Sequence, residues 1–588
     1  MLYKETGKVC SPCETVKRIK TILKNLDIKV LENWISTTKD IYIIRITIEN
    51  TSIGTNGKGI SKDLALASAY GELLERLANL LPFRLSDIYD QYIGNNSFEY
   101  TINELYTNSI IDTEEQKKWF QKSLTIGEQA KFINNSNILK NRYNKIVNIP
   151  FKSIKYEDKI HVPLKLLNSM YGSNGMAAGN TLEEAMVQSL SEIVERYATF
   201  QILDNGYVLP DITDYVREKF ATIDHMLEKL ENESLHIRVK DASLGLNLPV
   251  VAVVLFNRET LSYIVNFGAH PILKIAIERS ITELFQGRDI NNYEDMVSFL
   301  ADYKRASEEG NRFKIFNDGG GYYHIKILEN SKISNPSSYM WNIEFKDNTE
   351  MLNCFLNLID ELKFSAYYID NSYLGFPVCQ IIIPGMSEVT YNSYNELQHN
   401  DLCNKIKELY FNLSISKKEK ILKIIDLLSD DNIRDSISLE DLIKLPLNTY
   451  NDLGNITKRL LLVMLYTAVK NYDEAYKSCV KYIQTIKKTK DISNDVIRYY
   501  EIIASILNCK RNKMSDNEIK DILSNFLEDS AIEEGLNDLK EENLFLYLPK
   551  LNCSKCEECV LEFQCNFQCE KKLYDKLIEY KNYFDCSM

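Results

Sequence analysis

The chain has 588 residues, 70 basic and 83 acidic, for a formal net charge of −13, and 45% of its side chains are hydrophobic. This composition excludes fibrous, collagen-like and disordered classes and leaves ample material for a core. The acidic balance argues against an unspecific nucleic-acid binder, which needs a concentrated basic surface. The N-terminal stretch MLYKETGKVCSPCETVKRIK lacks the apolar core of a signal peptide, and the longest apolar run, LLLVMLYTAV from Leu460, is about half a membrane span. A cytoplasmic protein with no membrane or nucleic-acid partner is expected. Its 13 cysteines then serve as thiols or metal ligands rather than disulfides.

In chain order, helical stretches alternate with the β-rich runs DIYIIRITI, LPVVAVVLF, LSYIVNFGAH and FPVCQIIIP up to about Gly385. That alternation predicts an α/β domain over 1–400. Beyond it, KIKELYFNL, KEKILKIIDLL, ITKRLLLVMLYTAVKNYDEAYKSCVKYIQTI and DVIRYYEIIASIL place apolar residues at i, i+3 and i+4 with no strand-like run. An all-α domain over 401–545 is predicted. Its YDEAY from Tyr472 is similar to the helix pairs of tetratricopeptide-type repeats, although no period of about 34 residues is visible. A cysteine-rich tail over 546–588 closes the chain.

The large domain repeats one helix type three times. GISKDLALASAYGELLERL from Gly59, GNTLEEAMVQSLSEIVERY from Gly179 and HPILKIAIERSITELFQGR from His270 each place a glutamate 13 residues on, at Glu72, Glu192 and Glu283. Ala65, Ala185 and Ala276 each lie seven residues before that glutamate. Three residues after it stands a second oxygen donor, Glu75, Glu195 or Gln286, on the same helix face. Ser68, Gln188 and Arg279, one turn earlier, share that face, and Arg76 and Arg196 directly follow the pairs. Glycine turns, Thr55 to Gly59 and Ser173 to Asn180, precede the first two helices and bring backbone N–H groups near an anion. A single charged helix face is ordinarily solvated. Three copies in register with glycine turns instead point to a site for a charged ligand with a divalent metal, since magnesium takes carboxylate and phosphate oxygens and arginines neutralise the remaining phosphate charge.

These segments, with FGAHP and IIIPGMSEV in the same order, resemble the YcaO family over residues 1 to about 400. The resemblance implies an internally duplicated α/β (α+β) fold that binds ATP and Mg2+ and phosphorylates the oxygen of a peptide amide. A nucleophile then attacks the activated carbon and phosphate leaves. A side-chain nucleophile yields an azoline; a sulfide source yields a thioamide. The resemblance places Glu72, Glu75, Glu184, Glu192, Glu195 and Glu283 in the magnesium shell. It places Lys8, Thr15, Ser68, Asn180, Arg196 and Arg279 with them around ATP, and leaves the catalytic residue unassigned. Ala177 stands where the family pattern has a serine. His270 is read as a structural turn residue.

The chain ends KNYFDCSM, without the proline-rich tail common among azoline-forming members, and its helical half resembles the stand-alone bacterial branch. That branch is linked to β-methylthiolation of a ribosomal protein, as accessory to a radical-SAM methylthiotransferase. The expected function is therefore ATP/Mg-dependent amide activation on a peptide or protein, in thioamidation or in that accessory role. A radical-SAM or sulfur-delivery partner and a homodimer are expected. The alternatives are an azoline-forming cyclodehydratase and a non-catalytic nucleotide-binding scaffold.

In the tail, Cys556, Cys559, Cys565 and Cys569 are spaced C-x2-C-x5-C-x3-C, with Cys553 before them and Cys586 near the end. This resembles the auxiliary-cluster tail of radical-SAM SPASM domains. By that resemblance Cys556, Cys559, Cys565 and Cys586 hold a [4Fe–4S] cluster, with Cys553 and Cys569 as alternates. Four thiolates equally suit a tetrahedral zinc site. Cys10 and Cys13 form a further C-x2-C pair beside Lys8, readable as incidental, redox-active or half of a metal site.

Overall fold

The computed structural model describes the chain apart from residues 1–6, 39–40, 85–104, 108–113, 140–145, 233, 285–295, 300–302, 391–392, 412–417, 431–432, 446, 448–451, 489–491, 545–547, 549–550, 552–555 and 588. Two compact units result: Met1–Leu85, Phe98–Tyr394 and Lys572–Met588 form the first, Ser86–Ser97 and Asn395–Lys571 the second. The cysteine-rich segment 546–588 is not a unit of its own, because its residues are divided between the two.

The first unit opens with α1 (Pro12–Asn25). Its start is set by a reciprocal cap, in which the Ser11 hydroxyl accepts from the Glu14 N–H while the Glu14 carboxylate accepts from the Ser11 N–H. Strands β1 (Val30–Thr38), β2 (Ile41–Ile48) and β3 (Gly54–Gly59) form an antiparallel sheet, and α2 (Lys62–Ala78) packs on β3 and β2. Next come β4 (Leu105–Thr107), β5 (Ile146–Ser153), β6 (Lys159–Pro163), β7 (Met176–Ala178) and α3 (Leu182–Asn205). Strands β8 (Pro210–Asp211), β9 (Leu235–Asp241), β10 (Val250–Asn257) and β11 (Ser262–Ala269) lead into α4 (Leu273–Glu283). The unit continues with β12 (Val297–Ser298), β13 (Ser331–Lys332), α5 (Asn348–Glu361), β14 (Tyr367–Asp370) and β15 (Val378–Ile382). Two further sheets run β12-β11-β10-β9-β8-β13 and β4-β5-β14-β15-β7, with β6 paired to β5.

The β10 run explains the layering. Val250, Ala252 and Val254 point into a core shared with α3 and α5, whereas Val251, Val253 and Leu255 point into a second core with α4. A strand buried on both faces reads as an unbroken apolar run, which is how LPVVAVVLF looks in the sequence.

The three echoed segments are one strand–turn–helix unit, used as β3–α2, β7–α3 and β11–α4. In each, a hydroxyl ties strand to helix across a constant offset of 14 residues: Thr55 Oγ1 donates to Ala69 O (2.9 Å), Ser189 Oγ to Gly175 O (2.6 Å) and Ser280 Oγ to Asn266 O (2.7 Å). Backbones approach closely there. A methyl on Gly57 would lie 2.1 Å from Ala65 O, and one on Gly268 would lie 2.2 Å from Ala276 O. The second copy has Ala177 at this position, fully buried. The recurring alanines are thus the small helix residues that a strand backbone requires.

The longer helices after β15 are α6 (Ser393–Phe411), α7 (Lys418–Leu428), α8 (Lys458–Ala468), α9 (Tyr472–Ile486), α10 (Asn494–Arg511), α11 (Asp516–Leu523), α12 (Asp529–Asp538) and α13 (Phe567–Ser587). In the second unit α8, α9 and α10 pack consecutively around Val463, Ala475, Cys479, Ile483, Ile503 and Leu507. The apolar run from Leu460 lies in α8, and among the described residues no helix is long and apolar enough to cross a membrane.

The tail departs from expectation. Cys556 and Cys559 share a short turn in which the Cys559 N–H bonds Cys556 O at 3.0 Å, and Cys565 bridges to Leu447. Burial pushes the Cys565 thiol up to about 11, with Cys556 and Cys559 adding to the effect. Cys569 then falls in the first turn of α13 and Cys586 in its last. At ~1.5 Å per residue that separates them by roughly 25 Å. The expected set of Cys556, Cys559, Cys565 and Cys586, which as a zinc or iron–sulfur site would need all its ligands within bonding reach of one centre, is without support in the fold. Cys553 lies outside the described residues. Among the described residues, no group of three or more His, Cys, Asp or Glu is placed to hold a metal ion.

Candidate nucleotide and metal site

Helices α2, α3 and α4 bring their glutamates into one electrostatically linked row. Arg76 Nη2 lies 3.2 Å from Glu72 Oε1, and its Nη1 lies 3.2 Å from Glu75 Oε1. Arg196 binds Glu192 Oε1 through Nη2 (2.9 Å) and Nε (3.1 Å), with its guanidinium 5.1 Å from the centre of the Phe316 ring. Glu195 Oε2 accepts the Ala269 N–H at 3.1 Å, at the end of β11. Arg279 Nη1 donates to Gln188 Oε1 at 3.1 Å, and Glu283 is paired with Lys58. Three of these contacts link different copies of the repeat: Lys58 of the first to Glu283 of the third, Gln188 of the second to Arg279 of the third, and Glu195 of the second to the strand of the third.

Charge and burial act together here. Burial raises Glu75 to about 8, the Arg76 guanidinium opposes that rise, and the Glu192 and Glu72 carboxylates add to it. Glu195 is raised to about 7 by burial, opposed by Arg279 and reinforced by Glu283 and Glu192. A carboxyl raised in the fold binds protons that the unfolded chain has already released, so stability falls as pH rises through the interval between the two pKa values. The ligand-free protein is thus expected to melt at progressively lower temperature as pH is raised from about 5 to 8. Glu75→Gln, which removes the titrating group, should flatten that slope; a slope unchanged in the variant would show that Glu75 does not titrate in this range.

A second corner forms where the chain before α1 crosses the start of α3. Lys8 Nζ lies 3.4 Å from Glu184 Oε1, the Val9 N–H donates to Glu184 Oε2 at 3.0 Å, and Asn180 donates to Glu184 Oε1 from its backbone N–H (3.2 Å) and Nδ2 (3.0 Å). Thr15 Oγ1 donates to Asn180 Oδ1 at 3.0 Å, and Arg18 Nη1 reaches the same oxygen at 3.4 Å. Lys8, Thr15, Asn180 and Glu184 are thereby brought together, as a clamp on the N-terminal segment. Glu184 is two turns, or about 12 Å, before Glu192 along α3. His270 is buried: its Nδ1 accepts the Ile272 N–H at 3.0 Å and its carbonyl accepts Trp341 Nε1 at 3.1 Å. Burial, together with Arg279 and Lys8, holds its pKa well below the ordinary value, so the ring is neutral and buttresses Gly7. Ser68 is half-buried on α2, one turn before Glu72, and Gln286 lies outside the described residues.

Sequence reasoning missed Lys58, Arg18 and Phe316. Lys58 carried a signal, as the one cation inside the TNGKG run, expected as a turn and instead forming β3 paired to β2; the other two are placed by tertiary packing alone.

The donor set fits a divalent cation. It is all carboxylate oxygen, and two members, Glu75 and Glu195, are raised partly by the charge of neighbouring carboxylates, a repulsion a cation relieves. Glu72, Glu75, Glu192, Glu195 and Glu283 would hold it, where it would neutralise phosphate charge. With a cation or N–H on each carboxylate, no three of them converge on one point among the described residues.

Residues 56–387 match the family model described as YcaO cyclodehydratase, ATP- and Mg2+-binding. The chain belongs to the YcaO family. It therefore carries the ATP- and Mg2+-binding YcaO domain, and the three echoed helices all lie inside the matched span. Among YcaO relatives, it is 28% identical over 483 residues to the ribosomal protein S12 methylthiotransferase accessory factor YcaO of Escherichia coli, covering 80% of this chain and 81% of that one. It is 30% identical over 397 residues to an uncharacterized protein of Haemophilus influenzae, covering 65% of this chain and 66% of that one. Among solved structures, YcaO from Methanopyrus kandleri bound with AMPPCP and Mg2+ aligns with 15% identity and a TM-score of 0.41, over 66% of this chain and 94% of that one.

Proposed function

We propose that this YcaO protein uses Mg-ATP to phosphorylate the oxygen of a backbone amide in a peptide or protein, as a step in a sulfur-related modification. The observation that carries the reading is the row of five glutamates interleaved with Arg76, Arg196 and Arg279. Carboxylates suit a metal and guanidiniums suit the phosphates the metal leaves uncovered. An amide oxygen is a poor leaving group until phosphorylated. In the step proposed, it attacks the terminal phosphorus of ATP, ADP departs, a sulfur nucleophile adds to the carbon, and inorganic phosphate leaves with the original oxygen. Arg196 and Arg279 would orient and neutralise the phosphates, and Lys8 with Thr15 and Asn180 would line the approach of the N-terminal segment to the nucleotide.

The E. coli relative, matched over 81% of its length and named an accessory factor of ribosomal protein S12 methylthiotransferase, supports a substrate in the ribosomal-protein class; in this reading a radical-SAM or sulfur-delivery partner supplies the sulfur. The family description favours a second reading, in which a neighbouring Ser, Thr or Cys is the nucleophile and an azoline results. One experiment addresses both. Ribosomal protein S12 carrying oxygen-18 in its backbone carbonyls is incubated with the enzyme, Mg-ATP and sulfide. The label is expected in the released phosphate, read by 31P NMR. Exchange of oxygen for sulfur in the protein mass supports the first reading, and loss of one water the second. Phosphate released without label would refute amide phosphorylation.

A further inference from the structure

Beside the nucleotide corner, but facing away from it, α1 and α2 enclose a groove of about 390 Å3 that the proposed chemistry does not use. Its floor is aliphatic, from Val16, Leu66 and the stems of Lys17, Lys20 and Lys24. The three lysines follow one face of α1 at i, i+3 and i+7. Lys20 is committed, with Nζ 2.7 Å from Glu32 and 5.0 Å from the centre of the Tyr70 ring. Lys17 and Lys24 are exposed and have no ion-pair partner among the described residues. The one acid on the lining, Asp63, faces Cys13 and pushes its thiol up. A cation-rimmed apolar groove thus sits on a chain whose net charge is −13.

We infer that this groove is a docking site for an acidic peptide segment that also carries apolar side chains. Charge complementarity selects the occupant: the rim offers two unpaired ammonium groups over an apolar floor, which matches carboxylates flanking an aliphatic residue. Lys17 and Lys24 are seven residues apart on the helix, or about 10 Å. An extended peptide covers that with about three residues. A nucleic-acid strand fits less well, because a single row of cations on one wall offers no platform for base stacking.

The site is independent of amide activation, and its test needs no nucleotide. A fluorescein-labelled octapeptide alternating Glu and Leu is titrated with the full chain and followed by anisotropy, beside its Gln/Leu counterpart. The Glu peptide should bind and weaken with added salt. The Lys17→Glu, Lys24→Glu double variant should bind it about tenfold more weakly. A Lys159→Glu, Lys326→Glu control, with the same change in net charge at exposed positions elsewhere, should bind as wild type. No binding of the Glu peptide, equal binding of the Gln peptide, unchanged affinity in the Lys17/Lys24 variant, or displacement by a single-stranded RNA octamer at similar concentration would each overturn the proposal. Mg-ATP affinity measured in the same double variant is expected to be unchanged, so failure of the groove and failure of the nucleotide site are read separately.

Discussion

Glu192→Gln is expected to weaken Mg-ATP binding about a hundredfold in isothermal titration, equivalent to ~2.7 kcal/mol. Glu192 is the centre of the row. It is bound twice by Arg196, and its charge reaches Glu75, Glu195 and Arg76. The amide keeps the shape of the carboxylate but removes one negative charge from a metal shell and leaves Arg196 without its anion. Truncating one member of a close charge pair costs about 2–5 kcal/mol where the partner is poorly solvated. A thermal melt in the absence of nucleotide separates loss of the site from loss of the fold. Undiminished affinity in a folded variant would remove Glu192 from the site and with it the threefold arrangement of metal-binding helices.

The second large effect is on stability. Gly268→Ala should destabilise the first unit by about 3 kcal/mol, read as a lower urea midpoint for that unit. The added methyl would lie 2.2 Å from Ala276 O and 2.7 Å from Ser280 N, both backbone atoms of α4 that no rotamer change can move. Gly71 makes the contrast. It lies inside α2, and a methyl added there would meet no neighbouring atom within 4 Å, so Gly71→Ala should raise stability by about 0.5–1 kcal/mol through lower chain entropy. If both substitutions shift the midpoint alike, close strand–helix approach is not what constrains Gly268.

The repeat was legible in the sequence because packing demands small residues at fixed offsets. Gly57, Ala65 and Ala69 recur as Ala177, Ala185 and Ser189, then as Gly268, Ala276 and Ser280, and the glutamates recur with them because the helices are placed alike. That the glutamates of the three helices share one row could be read for the same reason. Its pairings could not: Lys58 with Glu283 and Gln188 with Arg279 depend on how three copies face one another, which no single segment encodes. The tail shows the opposite failure. Cysteine spacing signals a metal only if the intervening chain folds back, and the run from Phe567 onward, with apolar residues such as Leu573 and Leu577 one turn apart and buried, forms a continuous helix instead.

The guanidiniums and the ammonium seated on Glu72, Glu75, Glu192 and Glu283 have a thermodynamic consequence. A bare divalent ion arriving alone must evict Arg76, Arg196 or Lys58 and leave that cation without an anion, so ion affinity by itself is self-limiting. An ion that arrives on a triphosphate supplies anions for the displaced cations at the same moment. In the site proposed here the two ligands would therefore be positively coupled through one shared set of side chains, each raising the affinity for the other by the same factor, and the protein would discriminate between free metal and metal carried by nucleotide without a separate gate.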